Sequence, residues 1–312
     1  MEPPLQPETE RDHEPRRLVA ARADRRARAP SMRARVELLL ELQGDDSLTV
    51  RRAARAELAR LGRRARAALE RAAKSCDAEV RARARQLLLE TARERALRRL
   101  LKYAARPDLD LETALLLLAR YHSPDRDLRP ARRVLDGLGD LVRRRTHGRP
   151  AGLGRALALV EVLARDLGFQ GVGTDTHHPD HIQLPRALEV KSGLPLTLCS
   201  IYVLVARRAG IEAGILPFPG HVLLRLRHAS ERVIVDPLSG GKMVSESACL
   251  SYLAQYGHPF RSEWFREASD RALFARQVRN YLYSCRRRGL SARVRNLVLL
   301  HEALEPGALL ES

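Results

Sequence analysis

The stretch 188–199, Leu-Glu-Val-Lys-Ser-Gly-Leu-Pro-Leu-Thr-Leu-Cys, decides the fold because it marks the start of a buried helix. Proline is tolerated in the first turn of a helix, and Pro195 stands at that point. The apolar run that follows continues to about Arg208. Gly210 then supplies a residue that can end the helix in the left-handed conformation. We therefore expect a helix that carries Cys199 in its first turns.

Downstream of Gly210 the pattern changes from that of a helix to that of strands. Residues 211–218 and 221–227 read as two strands, and 229–231 as a turn. The β-branched run 233–235 forms a third strand that closes at Asp236. Further helices are predicted upstream at 108–121, 129–145 and 151–167. The predicted fold class is α+β, with many helices around a small antiparallel sheet.

The composition restricts the class of protein and its partners. The chain has 312 residues, of which 45% are apolar, so it can bury a core. Its formal net charge is +18, and arginine supplies nearly all of the positive charge. Arginines lie on nearly every predicted helical face without alternating aromatic residues, which does not favour specific nucleic-acid recognition. An acidic protein partner stays open.

The cysteines and the apolar segments bear on localisation. The cysteines are Cys76, Cys199, Cys249 and Cys285, and none belongs to a Cys-x-x-Cys pair, so no zinc ribbon or redox motif is predicted. We find no signal-peptide pattern at the N-terminus and no apolar segment long enough for a bilayer. We expect a soluble cytoplasmic protein with reduced thiols and no membrane contact.

Two N-terminal segments repeat one helical pattern. Apolar residues recur at spacings of four, which places them on one face of a helix. The two trios are Val50, Ala54, Leu58 and Val80, Ala84, Leu88. This pattern resembles short HEAT-type helical repeats, which bury their faces by stacking on neighbours.

Three residues predict a nucleophilic site. A nucleophilic cysteine needs a base to take its proton and a third group that orients the base. Cys199 is followed by His221 and Asp236, at the ends of predicted neighbouring strands. Antiparallel strands can place His221 and Asp236 side by side, and the helix dipole favours a thiolate at Cys199. The order predicts a Cys-His-Asp triad.

Short motifs around these residues follow one another along the chain. They are 111–114, Leu-Glu-Thr-Ala; 121–125, Tyr-His-Ser-Pro-Asp; 188–198, quoted above; 206–211, Ala-Arg-Arg-Ala-Gly-Ile; 218–221, Phe-Pro-Gly-His; and 235–237, Val-Asp-Pro, with Gly240 and Gly241. In this series the chain resembles the transglutaminase-like superfamily. It looks most like the bacterial SirB-type branch, which carries a tetratricopeptide-like helical tail, and residues 276–306 look like that tail.

The resemblance implies a papain-like core, in which a helix bearing Cys199 packs on a sheet bearing His221 and Asp236. It implies acyl chemistry on amides, meaning proteolysis, deamidation or transamidation, without a cofactor. We also expect Gln183, His178 and Gly220 to contact the substrate. Gln183 is a candidate donor to the oxyanion, and the loop with His178 is expected to line the entrance.

The expected organisation has four parts. They are a disordered tail rich in arginine, proline and glutamate at 1–31, HEAT-like helical repeats at 32–100, a transglutaminase-like domain at 101–260, and a tetratricopeptide-like helical tail at 261–312.

The run 177–181, His-His-Pro-Asp-His, has an alternative interpretation as a metal site. Three histidines and an aspartate can ligate zinc or nickel. However, Pro179 and the tight spacing do not give the i, i+4 geometry of helical ligands. We therefore prefer a loop at the site entrance and expect no metal.

Three functions stay open from the sequence. The first, and the leading hypothesis, is a cysteine-dependent amide hydrolase or acyltransferase that acts on a protein or peptide through the Cys-His-Asp triad. The second is a non-catalytic module that binds another protein, and the third is a basic nucleic-acid-associated protein. Catalysis predicts the Cys199 Sγ near His221 beside an open cleft. A binding module predicts a filled cleft or an enclosed Cys199, and nucleic-acid binding predicts a continuous arginine stripe.

Overall fold

A computed structural model describes residues 31–149, 152–172 and 178–308. The predicted tail at 1–31 lies outside the described residues except for Ser31, and so does His177 of the candidate metal run. The chain divides into two compact units, Met1–Thr91 and Ala92–Ser312. Among the described residues, no helix has the length and apolar character needed to cross a bilayer.

The first unit is built from helices in its described part. They are α1, Met32–Glu41; α2, Leu48–Leu61; α3, Arg63–Ala72; and the beginning of α4, Ala78–Ala104. Side-chain caps begin two of them: Ser31 accepts the N–H of Ala34 in α1, and Asp77 accepts the N–H of Glu79 in α4. The apolar faces of these helices meet in one core.

Both trios of the predicted repeat contribute to this core. Ala54, Leu58 and Ala84 are buried in it, and Val80 and Leu88 pack against it. The spacing of four therefore corresponds to the inward face of α2 and of α4. The assignment of these helices to HEAT-type repeats stays a prediction.

The second unit combines helices with two small sheets. Its helices after α4 are α5, Leu111–His122; α6, Arg129–Thr146; α7, Leu153–Val160; α8, Leu184–Val190; α9, Pro195–Ala209; α10, Glu246–Gln255; α11, Asp270–Arg287; and α12, Ser291–Leu304. A π-helical segment, Glu161–Asp166, extends α7, and 3₁₀ turns cover Pro179–Ile182 and Ser262–Phe265. The strands are β1, Gln170–Gly171; β2, Ser192–Gly193; β3, Glu212–Leu216; β4, Leu223–His228; β5, Glu231–Asp236; and β6, Lys242–Val244.

The four-stranded antiparallel sheet has the order β3-β4-β5-β6 and is covered on both faces. Leu224 pairs with Val235, and both face the large core that contains α9. Their neighbours Leu223 and Ile234 face a smaller core that contains residues of α10. This alternation follows from the period of two along a strand. The α+β prediction is confirmed.

Helix α9 forms as the sequence predicts. Pro195 is its first residue, and Gly210 ends it with φ of 68° while its N–H bonds to the carbonyl of Ala206. Nearly every side chain along α9 is buried, because the sheet and several helices surround it.

The start of β4 differs from the expected arrangement. His221 does not open a strand, because the chain turns at Gly220, where φ is 69°, and β4 begins only at Leu223. The C-terminal helices also share the large core with α9, through residues such as Phe274 and Leu297.

Candidate functional site

Cys199 lies in the second turn of α9 and points into the core. Its side chain has no solvent exposure, and its Sγ–H donates to the carbonyl of Val222 at 3.6 Å. Burial raises the pKa of the Cys199 thiol, and the carboxylate of Asp236 raises it further, while Arg276 opposes them. The thiol is therefore held in its neutral form.

His221 and Asp236 form a hydrogen-bonded pair. The Nε2 of His221 donates to the Oδ2 of Asp236 at 3.2 Å. This bond leaves Nδ1 as the ring nitrogen able to face a thiol. Within the described residues, however, no hydrogen bond joins His221 to Cys199, whose thiol bonds to the Val222 carbonyl instead.

Asp236 is held as a carboxylate by several donors. Its Oδ2 also accepts the hydroxyl of Ser239 at 2.7 Å, and its Oδ1 accepts the N–H of Leu238 at 2.9 Å. Burial acts to raise the pKa of Asp236, but the hydrogen bonds from His221, Ser239 and Leu238 prevail and lower it. Asp236 therefore closes β5 as the acceptor of a local turn.

The loop between β3 and β4 carries His221 and is anchored by two helices. Arg276 of α11 donates through Nη2 to the carbonyls of Phe218 at 2.9 Å and His221 at 3.2 Å. The hydroxyl of Tyr252 in α10 donates to the carbonyl of Pro219 at 3.2 Å. The position of His221 thus depends on helices that come later in the chain.

A cavity of about 300 Å³ lies at the start of α9. One wall is apolar and consists of residues around the helix start and the β3–β4 loop. These residues are Leu194, Pro195, Leu196, Gly220 and Val222. Neither Pro195 nor Leu196, the first residues of the helix, carries a nucleophilic group.

The remaining lining residues of the cavity come from α11. They are Arg276, Asn280, Tyr283 and Ser284. None of these four residues was among the site residues predicted from the sequence. Their signal is the recurrence of polar residues at 276, 280 and 284, a spacing of four that places them on one helical face.

The predicted substrate residues occupy different places. Gly220 lines the cavity, whereas Gln183 and His178 do not. The side chain of Gln183 is buried and donates to the carbonyl of Pro179 at 3.3 Å. His178 begins the 3₁₀ turn, where its Nδ1 accepts the N–H of Asp180 at 3.2 Å.

The alternative interpretation of the run 177–181 as a metal site has no cluster to support it among residues 31–149, 152–172 and 178–308. No group of three or more histidine, cysteine, aspartate or glutamate side chains there is placed to hold a metal ion. Instead, Asp180 accepts from the Nε2 of His122 at 2.9 Å, and the Nδ1 of His122 lies 2.7 Å from the hydroxyl of Tyr281.

A comparison with protein families identifies the central part of the chain. Residues 129–279 match the family model of the transglutaminase-like superfamily. This segment holds Cys199, His221, Asp236, the four-stranded sheet and helix α9. Residues 129–279 are therefore similar to a transglutaminase-like domain, and the predicted resemblance is confirmed for that segment.

Curated relatives match part of the chain at low identity. UPF0162 proteins from two strains of Xylella fastidiosa are 29% identical over 134 residues, which is 43% of this chain and 48% of theirs. F-box only protein 21 of Mus musculus is 23% identical over 156 residues, 47% of this chain and 24% of that protein. The chain thus spans about half the length of the UPF0162 relatives. No solved structure is significantly similar to it.

Proposed function

We propose that the second unit is a non-catalytic transglutaminase-like module that binds a protein or peptide at the cavity beside α9. The observation that carries this proposal is the enclosure of Cys199, whose thiol is fully buried and bonded to the Val222 carbonyl. A nucleophile has to be a thiolate that can reach a substrate, and both burial and the Asp236 carboxylate oppose ionisation of this thiol.

The cavity itself supports a binding role. Its volume of about 300 Å³ is at the lower end of the range of ligand pockets. It combines apolar walls with a small number of polar groups, which is the composition of a recognition site. Pro195 and Leu196, in the first turn of α9, are apolar and contribute binding surface to the cavity.

A second candidate function is the cysteine-dependent amide hydrolase or acyltransferase. The observation that favours it is the hydrogen bond from His221 to Asp236, which leaves Nδ1 of His221 to act as a base. In that reaction Cys199 would lose its proton to His221 and its thiolate would attack an amide carbonyl. The amine would leave with the proton, and water or another amine would resolve the thioester.

The nucleic-acid hypothesis has less support. Several arginines pair with carboxylates, as Arg208 does with Glu112 at 2.8 Å and with Asp136 at 2.7 Å. Such pairs reduce the positive charge available to phosphates.

Placement in the SirB-type branch stays a prediction, and so does the tetratricopeptide-like tail. The tail is supported by the consecutive helices α11 and α12, which are separated by a turn at Gly289.

The test is the rate at which iodoacetamide alkylates each cysteine of the native protein across pH. Exposed Cys76 serves as the internal standard for a free thiol. We expect Cys199 to react far more slowly than Cys76, because alkylation requires local opening of the core. We also expect the pH dependence of Cys199 alkylation to be the same in wild type, in His221→Ala and in the control His228→Ala at the end of β4.

The opposite result would establish the second candidate. Fast alkylation of Cys199 with an apparent pKa well below about 8.5, lost in His221→Ala and kept in His228→Ala, would show an activated thiolate. The non-catalytic proposal would then be wrong.

A further inference from the structure

Arg276 is a half-buried cation whose hydrogen-bond partners are all neutral. Its described hydrogen bonds go to the carbonyls of Phe218 and His221. Within the described residues, no carboxylate forms an ion pair with it, in contrast to Arg207 on α9, which pairs with Asp270 at 2.9 Å. Burial and the neighbouring Arg279 lower the pKa of Arg276. The site therefore lacks negative charge.

Even a half-buried charge loses part of its hydration, and a bound anion offsets this cost when no counter-ion is present. Arg276 lines the cavity, so an anion bound there would lie beside this side chain. Its Nη2 donates to the two loop carbonyls, and the other N–H groups of the guanidinium are available to donate to a ligand.

Other features of the cavity also favour a negatively charged ligand. The amide of Asn280 has no hydrogen-bond partner among the described residues, and it lies one turn after Arg276 on α11. Helix α9 begins at this cavity without a side-chain cap, which leaves its positive end uncompensated. No aspartate or glutamate belongs to the described lining.

Building on the proposed binding function, we propose that this cavity binds a carboxylate of a peptide partner, paired with Arg276 and hydrogen-bonded to Asn280. A carboxylate matches the planar donor fork of arginine. It also carries a single negative charge and would act as the counter-ion that Arg276 lacks. The apolar residues Leu194, Leu196 and Val222 contact the carbon atoms next to the carboxylate. The carboxylate comes from a chain terminus or from an acidic side chain.

The experiment titrates small probes into the full-length protein labelled with ¹⁵N. N-acetylleucine represents a terminal carboxylate, N-acetylglutamic acid α-amide represents a side-chain carboxylate, and N-acetylleucinamide is the uncharged match of the first. We expect saturable shifts of the backbone amides of Leu196, Thr197 and Gly220 with a carboxylate probe and none with the amide. The probe with the higher affinity identifies the source.

Variants of α11 distinguish binding in the cavity from non-specific attraction of the probe to the positively charged protein. We expect Arg276→Gln to weaken binding of the carboxylate about tenfold or more, since it removes a charge-assisted hydrogen bond. Asn280→Leu should weaken it about threefold or more. The control Arg279→Gln removes the same charge from the exposed side of the same helix, where Arg279 pairs with Glu305 at 3.5 Å. It should change binding by less than about twofold.

Because Arg276 also holds the β3–β4 loop, thermal unfolding is measured for each variant. If Arg276→Gln does not fold, the comparison of Asn280→Leu with Arg279→Gln decides the outcome. The proposal is overturned if the neutral amide binds as well as the acid, if neither carboxylate gives saturable shifts, or if Arg279→Gln weakens binding as much as the cavity variants.

The two proposals fail in different ways. Slow alkylation of Cys199 together with absent carboxylate binding rejects the carboxylate site alone. Activated alkylation of Cys199 rejects the non-catalytic function, whatever the cavity binds.

Discussion

At Cys199, His221 and Asp236 the chemistry depends on which bonds each side chain makes. His221 bonds to Asp236, and Cys199 bonds to a backbone carbonyl of the β3–β4 loop. The hydrogen bond between His221 and Asp236 fixes the orientation of the imidazole ring, which is the role of the third member of a triad. The thiol is the member whose surroundings oppose its predicted role.

The charge of Asp236 should make the free energy of unfolding depend on pH. Its pKa is lowered in the folded protein, so its charge stabilises the fold above the pKa of the unfolded chain, near 3.8. This contribution is lost as the pH falls through the folded pKa. We expect Asp236→Asn to lower the free energy of unfolding by about 1–2 kcal/mol at neutral pH. In urea unfolding, the difference from wild type should narrow below about pH 4.

The control for Asp236→Asn is Asp140→Asn. Asp140 pairs on the surface with Arg143 three residues later, so its charge is screened by solvent. Its replacement should change stability by less than about 0.5 kcal/mol. A control as costly as Asp236→Asn, or a difference that does not depend on pH, would contradict the role given to this carboxylate.

The turn between β5 and β6 contains two glycines and packs closely against the end of α7. Gly240 and Gly241 both have positive φ, 68° and 77°. A Cβ at Gly241 would overlap Val160 at the end of α7, whereas a Cβ at Gly240 meets no atom within 4 Å. Both glycines are therefore needed for their left-handed backbone, and Gly241 is needed in addition for the close approach to α7.

These two glycines form a matched pair for mutation. We expect Gly240→Ala to destabilise the protein by about 1 kcal/mol, the cost of left-handed backbone alone. Gly241→Ala should cost about 1–3 kcal/mol more, because the added methyl group overpacks the contact with Val160. Thermal unfolding of both variants measures the difference. Equal losses would show that the turn moves away from α7 at little cost.

The second unit as a whole has one large core that joins α9 to the C-terminal helices. Phe274 has no solvent exposure and belongs to the same core as Ile201 and Tyr202. Gln277 adds polar links, since its Nε2 donates to the carbonyl of Ile182 at 2.7 Å and to the hydroxyl of Thr197 at 2.9 Å. Helix α11 is thus part of the fold that positions the candidate site.

Phe274→Ala tests this integration. We expect a loss of about 3–5 kcal/mol, the cost of removing a fully buried aromatic side chain. Native-state hydrogen exchange should show faster opening of the amides of α9 as well as those of α11. The control Leu299→Ala on α12 removes a side chain that is 59% exposed and should cost less than about 0.5 kcal/mol. Faster exchange confined to α11 and α12 would show that they form a separate unit.

Local signals in the sequence determined the elements of this protein. Pro195 and Gly210 bound a helix because one tolerates the missing N–H and the other the left-handed backbone. The β-branched run before Asp236 predicted a strand, and the order of His221 and Asp236 predicted the hydrogen bond that joins them. The α+β class and the transglutaminase-like domain followed from these elements and motifs.

Only the tertiary structure decided which way Cys199 faces and what borders the cavity. Helix α9 is apolar around nearly its whole circumference, so its sequence has no hydrophobic period to indicate which side chains face a cleft. Arg276 lies 55 residues after His221, and its bond to that carbonyl arises from the packing of α11. Contacts at such separations depend on the complete core, which local patterns do not encode.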